Sequence, residues 1–207
     1  TPDHIDYANE VMESILDSEI KNVILVARWA DCLSAEGDSE VQTNNEKNTT
    51  GLAGHLDHDE VSVSPISSYV LQKHLEMVAE KLSGSGVKLW ILKSIPEQNN
   101  ARMAQDFYIG KRFSFLNKMP NQYTSSKDDY RQQQMHSNKA LNRLPPGLVE
   151  LIEPTPYFFK DSNGLKLYDK RAYYKDECHL TRAGADYYLS EMFDGIFAEI
   201  AEQQKDS

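Results

Sequence analysis

Asp176 and His179 are the residues whose types and spacing best fit chemistry. They lie in Tyr173-Tyr174-Lys175-Asp176-Glu177-Cys178-His179-Leu180-Thr181, followed by Arg182-Ala183-Gly184-Ala185. A histidine that takes a proton from a hydroxyl needs its tautomer fixed by an acceptor. An aspartate three residues earlier on a tight turn can supply that acceptor at Nδ1. The same spacing also suits an aspartate capping the helix that follows, beside a surface histidine.

Other chemistry-bearing clusters are weaker. His55, Asp57, His58 and Asp59 sit in an acidic, glycine-containing loop with no defined ligand spacing, and a solvated loop is expected rather than a metal site. No metal and no cofactor is expected. Gly37-Asp38-Ser39 is a polar triplet with no apolar strand before it. A nucleophile needs a rigid perch near its base, so Ser39 is not expected to be one. Cys32 and Cys178 are the only cysteines. They either join in a disulfide or remain separate thiols. A nucleophilic Cys178 is disfavoured, because a side chain adjacent to His179 should point away from the imidazole's working edge.

The elements that must position these residues are those of an α/β fold. Val23–Ala27 is a short β-branched apolar run ending in Arg28-Trp29, as expected of a buried parallel strand. A helix is predicted before it over 6–20, with Asp6 as cap. Another is predicted over 65–82, capped by Ser67 or Ser68 and ended by Gly84 and Gly86. Val87–Lys93 and Leu148–Ile152 read as further strands, each closed by proline. Between them, a short helix is predicted over 101–108, a buried patch at Phe113, Phe115 and Leu116, and a helix over 127–143 capped by Ser125 or Ser126. Phe158-Phe159 is expected to pair briefly as a strand. A turn is predicted at 161–164, a hairpin over 166–174 and a last helix over about 182–201. Residues 34–64 are polar throughout and are predicted to form a long loop or edge insertion.

The chain has 207 residues, 40% hydrophobic and 26% charged, with a formal net charge of −10. That balance suits one globular domain spanning 1–207. It argues against nucleic acid as a partner, which would call for a basic stripe. No apolar run approaches the roughly 20 residues a spanning helix needs. The chain does not begin with Met and is expected to be a fragment or a processed form.

Tyr-x-Asp-x-x-His-Leu-Thr-x-x-Gly-Ala over 174–185 resembles the last block of the SGNH hydrolases. It is most similar to the branch fused to the C-terminus of integral-membrane acyltransferases that O-acetylate bacterial surface polysaccharides. Val23–Ala30, with its Ala-Arg-Trp, resembles that branch's third block, and Val87–Pro96 resembles an apolar strand ending in Ile-Pro. The resemblance implies a flavodoxin-like three-layer α/β sandwich with a mainly parallel sheet. It carries Asp176 over as the orienting acid and His179 as the general base. Arg28 and Trp29 fall where such enzymes usually have an oxyanion asparagine. Arg28 can serve an oxyanion or an acidic glycan, or pair with Asp31. The family's Gly-Asp-Ser block and first strands have no counterpart ahead of Val23, so they are expected upstream of Thr1 or on another polypeptide.

The implied activity is an esterase or O-acyltransferase using Ser-His-Asp chemistry, moving an acyl group, acetyl by expectation, to or from a cell-surface carbohydrate hydroxyl. The implied partners are an acyl donor, a carbohydrate acceptor and an upstream membrane acyltransferase domain. The implied location is the periplasmic side, tethered through that domain. Two alternatives stand beside it: a non-catalytic carbohydrate-binding or scaffold domain of the same fold, and an unrelated flavodoxin-like binding module.

Overall fold

The computed structural model describes residues 2–29, 68–113, 120–203 and 205. In chain order the described elements are α1 (Pro2–Leu16), β1 (Asn22–Val26), α2 (Ser68–Gly84), β2 (Lys88–Leu92), α3 (Met103–Arg112), β3 (Tyr123–Ser126), α4 (Lys127–Gln133), α5 (Met135–Leu141), β4 (Val149–Ile152), α6 (Thr155–Phe158), β5 (Gly164–Lys166), α7 (Arg182–Tyr188) and α8 (Ser190–Gln203). The chain divides into two compact units, one of residues 1–93 and 134–152 and one of 94–133 and 153–207.

The first unit holds a parallel sheet of order β1-β2-β4 among the described residues. Val23 pairs with Leu89 and Leu89 with Val149, so the three apolar runs lie in register. β2 is the central strand. Leu89–Leu92 are buried, which is why this run carries no alternation. α2 covers the sheet with Leu71, Leu75, Ala79 and Leu82, an i, i+4, i+8, i+11 stripe. It ends as its glycines predict. Val87 N–H donates to Leu82 O at 3.0 Å and Gly86 N–H to Ser83 O at 2.9 Å, with Gly86 at φ +71°. That is a Schellman cap, and the left-handed residue it needs is the glycine. Trp90 donates its indole N–H to Asn22 Oδ1 at 3.0 Å, and Lys88 reaches Glu150 at 3.2 Å, which ties all three strands together at their leading ends.

The second unit has an aromatic core of Phe107, Tyr130, Phe158, Tyr173, Tyr174 and Tyr188 around Met103 and Leu165. Phe158 stacks on Tyr188 with centroids 4.3 Å apart, and Tyr173 on Tyr187 at 4.4 Å. β3 and β5 pair antiparallel, with the register shifting between Thr124 and Ser126.

Several local expectations change. α1 begins at Pro2, so Asp6 lies within the helix instead of capping it. The helix predicted over 127–143 is two, α4 and α5, divided at buried Gln134, whose backbone (φ −94°, ψ 8°) departs from the helix. The last helix likewise divides at Leu189. Phe158-Phe159 is not a strand. Pro154 and Pro156 hold φ near the helical value, and Thr155–Phe158 makes one helical turn that buries both rings. Phe113 is 39% exposed, beneath the Arg112 guanidinium 5.6 Å from its ring centre, and is no part of a buried patch. Met135 in α5 and Phe197 in α8 are exposed. The 166–174 hairpin reduces to a single bridge between Tyr168 and Ala172, while β5 pairs with β3, a strand too polar to predict. Phe115, Leu116, Cys32, Ser39, the 34–64 loop and the His55–Asp59 cluster lie outside the described residues.

Candidate functional site

Residues 175–179 form a loop closed at its base. Lys175 N–H donates to His179 O at 2.8 Å, Thr181 N–H donates to Tyr173 O at 2.9 Å, and Tyr174 and Leu180 form an antiparallel bridge. Thr181 then caps α7. Its Oγ1 accepts from Gly184 N–H at 3.1 Å and donates to Ala172 O at 2.6 Å. A Cβ on Gly184 would fall 1.9 Å from Tyr173 O, so only glycine lets the helix start pack this close to the loop's base. The Leu-Thr-x-x-Gly pattern is thus the mount of the Asp-x-x-His turn.

Within that turn the pair forms. His179 Nδ1 lies 2.8 Å from Asp176 Oδ1 and 3.0 Å from Oδ2. Oδ1 also accepts from the backbone N–H groups of His179 at 2.9 Å and Cys178 at 3.2 Å. Partial burial raises the Asp176 pKa. The hydrogen bonds from the His179 backbone, the imidazole and the Cys178 backbone outweigh it, and the carboxyl is held below its ordinary value. Ionised, it only accepts, so in the neutral imidazole this contact assigns the hydrogen to Nδ1 and the lone pair to Nε2. The His179 side chain is 71% exposed, and Nε2 has no hydrogen-bond partner among the described residues. This is the disposition of a general base presented to a reactant.

Cys178 Sγ lies 3.5 Å from His179 Nδ1, on the carboxylate side of the ring. It therefore stands away from Nε2, as its position in sequence predicts. Asp176, Cys178 and His179 offer donor atoms within 4.8 Å of one another, enough to hold a metal ion. An ion there would take Nδ1 and Oδ1 from each other. A disulfide to Cys32 lies outside the described residues, because Cys32 does.

The turn is fixed from below by Gln98, a residue that sequence reasoning missed. Gln98 is buried. Its Nε2 donates to Asp176 O and to Asn100 O, each at 2.6 Å, and its own N–H donates to Glu177 O at 2.8 Å. Tyr174, fully buried with its pKa raised by desolvation, donates to Pro96 O at 2.6 Å. Tyr130 does the same to Ser94 O at 2.6 Å. The strap 94–100 is therefore tied to residues 174–177 by three hydrogen bonds and to α4 by a fourth. An Ile-Pro strand end gave the only signal of it, and nothing local singles out Gln98.

Arg28 and Trp29 lie in the first unit, just past β1. Trp29 is 5% exposed, and its indole N–H donates to Leu92 O at 2.7 Å, which ties the exits of β1 and β2. Arg28 is exposed. Asp31, its alternative partner, lies outside the described residues. Among the described residues, no helix is long and apolar enough to cross a membrane.

A family model described as "SGNH domain (fused to AT3 domains)" matches residues 3–194. No curated protein matches the chain. Among solved structures, the chain is similar to the periplasmic domain of the lipopolysaccharide acetyltransferase of Salmonella ser. Paratyphi A, with 14% identity and a TM-score of 0.54. The match covers 91% of this chain and 61% of that one, so the chain spans about three fifths of its length. The likeness shows the fold, the α/β arrangement with a parallel sheet that the strand pattern implies.

Proposed function

The chain belongs to the SGNH domain family that is fused to AT3 domains, and on that premise we propose that it is an esterase or O-acyltransferase domain moving an acyl group, acetyl in the first instance, to or from a carbohydrate hydroxyl. The observation that carries this reading is the His179 Nδ1–Asp176 Oδ1 contact of 2.8 Å, with Nε2 unpartnered among the described residues. A scaffold domain has no need to fix an exposed imidazole in one tautomer.

In this reading a serine hydroxyl gives its proton to His179 Nε2 as its oxygen attacks the acyl carbonyl carbon. Asp176 holds the ring and stabilises the imidazolium. The bond to the donor's leaving group breaks, and the leaving group takes the proton from Nε2. The acyl-serine then meets a sugar hydroxyl or water. His179 takes the incoming proton and returns it to the serine oxygen as the acyl group departs. The serine is taken to be that of the family's Gly-Asp-Ser block. Arg28 is the proposed cation for an oxyanion or an acidic glycan. Trp29, whose ring is buried, is a proposed positioning residue for it.

Residues 1–207 are taken as one SGNH-like domain, since the family match runs through both compact units. The proposed partners are an acyl donor, a carbohydrate acceptor and an AT3 membrane domain of the same gene product. A periplasmic location agrees with the source of the similar structure. The test is His179→Ala in the complete polypeptide, assayed on p-nitrophenyl acetate and for polysaccharide O-acetylation. Loss of a proton-transfer base should cost on the order of 10²–10⁴ in rate. Turnover equal to the parent protein's would sink the catalytic reading in favour of a non-catalytic carbohydrate-binding or scaffold role.

A further inference from the structure

Asp176, Cys178 and His179 bring three kinds of metal ligand to one turn: a carboxylate oxygen, a sulfur and an imidazole nitrogen, all within 4.8 Å of one another. The catalytic reading uses only two of them. Cys178 is a half-buried thiol. Its sulfur lies 3.5 Å from His179 Nδ1 and 3.8 Å from Asp176 Oδ1. In a tetrahedral zinc site, bonds of about 2.3 Å to sulfur and about 2.0–2.1 Å to nitrogen and oxygen put neighbouring ligand atoms roughly 3.3–3.6 Å apart. The sulfur–nitrogen edge already has that length. Asp176 Oδ2, 3.0 Å from Nδ1, is short of it by about 0.3 Å, which a small turn of the carboxylate supplies.

The turn can present these atoms to an ion without unfolding. Oδ1 keeps the backbone N–H groups of Cys178 and His179, at 3.2 and 2.9 Å. Oδ2 accepts from the imidazole alone among the described residues. Gln98 holds Asp176 O at 2.6 Å and Glu177 O at 2.8 Å, and Lys175 N–H closes the loop on His179 O at 2.8 Å. The backbone that carries the three ligands is therefore fixed, and they are gathered before an ion arrives. The exposed imidazole leaves the fourth corner open to water.

That ligand set selects the ion. Mg²⁺ and Ca²⁺ need several oxygen ligands and would find one carboxylate. A thiolate beside an imidazole suits zinc. We propose that Asp176, Cys178 and His179 form a zinc site, and that zinc bound there switches the imidazole off as a base. Zinc gains bonds to Sγ, Nδ1 and Oδ2, and the thiol proton goes to solvent. The Nδ1 hydrogen also goes to solvent, and the ring takes one from solvent at Nε2, staying neutral. Nε2 then has no lone pair for a serine hydroxyl. Nδ1 thus serves Asp176 in the working state and zinc in the arrested one. No metal is expected from the sequence, because the approach of the thiol to Nδ1 is set by the fold of the turn. The binding rests on that geometry alone, and the arrest rests on the function proposed above.

The test starts with the reduced 207-residue chain and Co²⁺, which reports a thiolate ligand by a near-ultraviolet charge-transfer band and a tetrahedral site by intense visible bands. Both are expected, with displacement by stoichiometric Zn²⁺ and none by excess Mg²⁺. Cys178→Ser should abolish the charge-transfer band and weaken Zn²⁺ binding by about tenfold or more. Cys32→Ser should keep the band, and His179→Gln should lose the tetrahedral spectrum. In the complete polypeptide, micromolar Zn²⁺ should lower p-nitrophenyl acetate turnover by about tenfold or more, with recovery on adding EDTA, and Cys178→Ser should need about tenfold more zinc for the same inhibition. No thiolate band in the reduced chain, a band that survives Cys178→Ser, or undiminished His179-dependent turnover with zinc bound would each overturn the inference. Equal turnover of the parent and His179→Ala beside an intact cobalt spectrum would remove the catalytic reading and leave the zinc site.

Discussion

Gln98 lies 78 residues before Asp176 in the chain and donates its side-chain amide to the Asp176 carbonyl at 2.6 Å. The same amide spans back to Asn100, through Nε2 to its carbonyl at 2.6 Å and through Oε1 to its N–H at 2.7 Å. A single buried side chain thus joins the strap after β2 to the turn that presents the imidazole.

Gln98→Leu keeps the volume and removes these bonds, leaving the Asp176 carbonyl and the Asn100 N–H without that partner, while the Asn100 carbonyl still accepts from Met103 N–H at 3.1 Å. The expected cost is roughly 1–3 kcal/mol per buried group left unsatisfied, read by urea denaturation. As a positioning residue Gln98 should also affect kcat more than KM. The Nδ1 proton of His179 should broaden or move upfield in ¹H NMR as the turn loosens. A stability loss with the Nδ1 signal and kcat unaltered would reduce Gln98 to a packing residue.

The Asp176 carboxyl is held below its ordinary value in the folded chain. A depressed folded pKa stabilises above the unfolded pKa, and that contribution is lost as pH falls through the lower folded value. The stability difference between the parent and Asp176→Asn should therefore be constant above about pH 5 and shrink below about pH 4. The asparagine amide cannot act as an ionised acceptor for Nδ1–H. Turnover at neutral pH should drop on the order of 10³–10⁴ if the pair works as proposed. A pH-independent stability difference would contradict the pairing.

Gly184→Ala would place a methyl 1.9 Å from the Tyr173 carbonyl oxygen, against backbone rather than a yielding side chain. Either the start of α7 or the base of the 175–179 loop must move. A loss of about 3–5 kcal/mol is expected, at the severe end for one methyl. Thr181→Ala removes only the cap and the bond to Ala172 O, and should cost about 1–2 kcal/mol. Thr181→Ser should recover most of that. Chemical denaturation of the three variants gives the order, and a Gly184→Ala protein as stable as its parent would refute the close packing.

Gly86→Ala forces an L side chain to φ +71° at the end of α2, with no contact within 4 Å to resist it sterically. The penalty is then backbone strain alone, about 1–2 kcal/mol. A double variant with Thr181→Ala should show additive losses, because the two sites lie in different compact units and share no partner. Thermal or urea melts of the single and double variants measure this.

What the sequence determined by itself was local. Three apolar runs became three parallel strands, because short apolar runs bounded by polar residues or prolines have few other uses. Only central β2 is buried as expected, while β1, expected to be buried too, is half-buried with Val26 60% exposed. The glycines after α2 specified its cap, and Asp176 and His179 meet because three residues on a tight turn leave little choice. Thr181 and Gly184 are legible in the same way, being three apart at a helix start. The tertiary structure alone decided the rest. Gln98 has a meaning only once the strap after β2 lies beneath a loop far along the chain. Ser125 reads as an ordinary cap candidate until the β3–β5 pairing shifts register, strains its backbone and leaves its hydroxyl without a partner. Capping and periodicity are short-range and are written in neighbouring residues. A buried amide's partners and a strained φ are set by chain segments dozens of residues apart, and only packing brings those together.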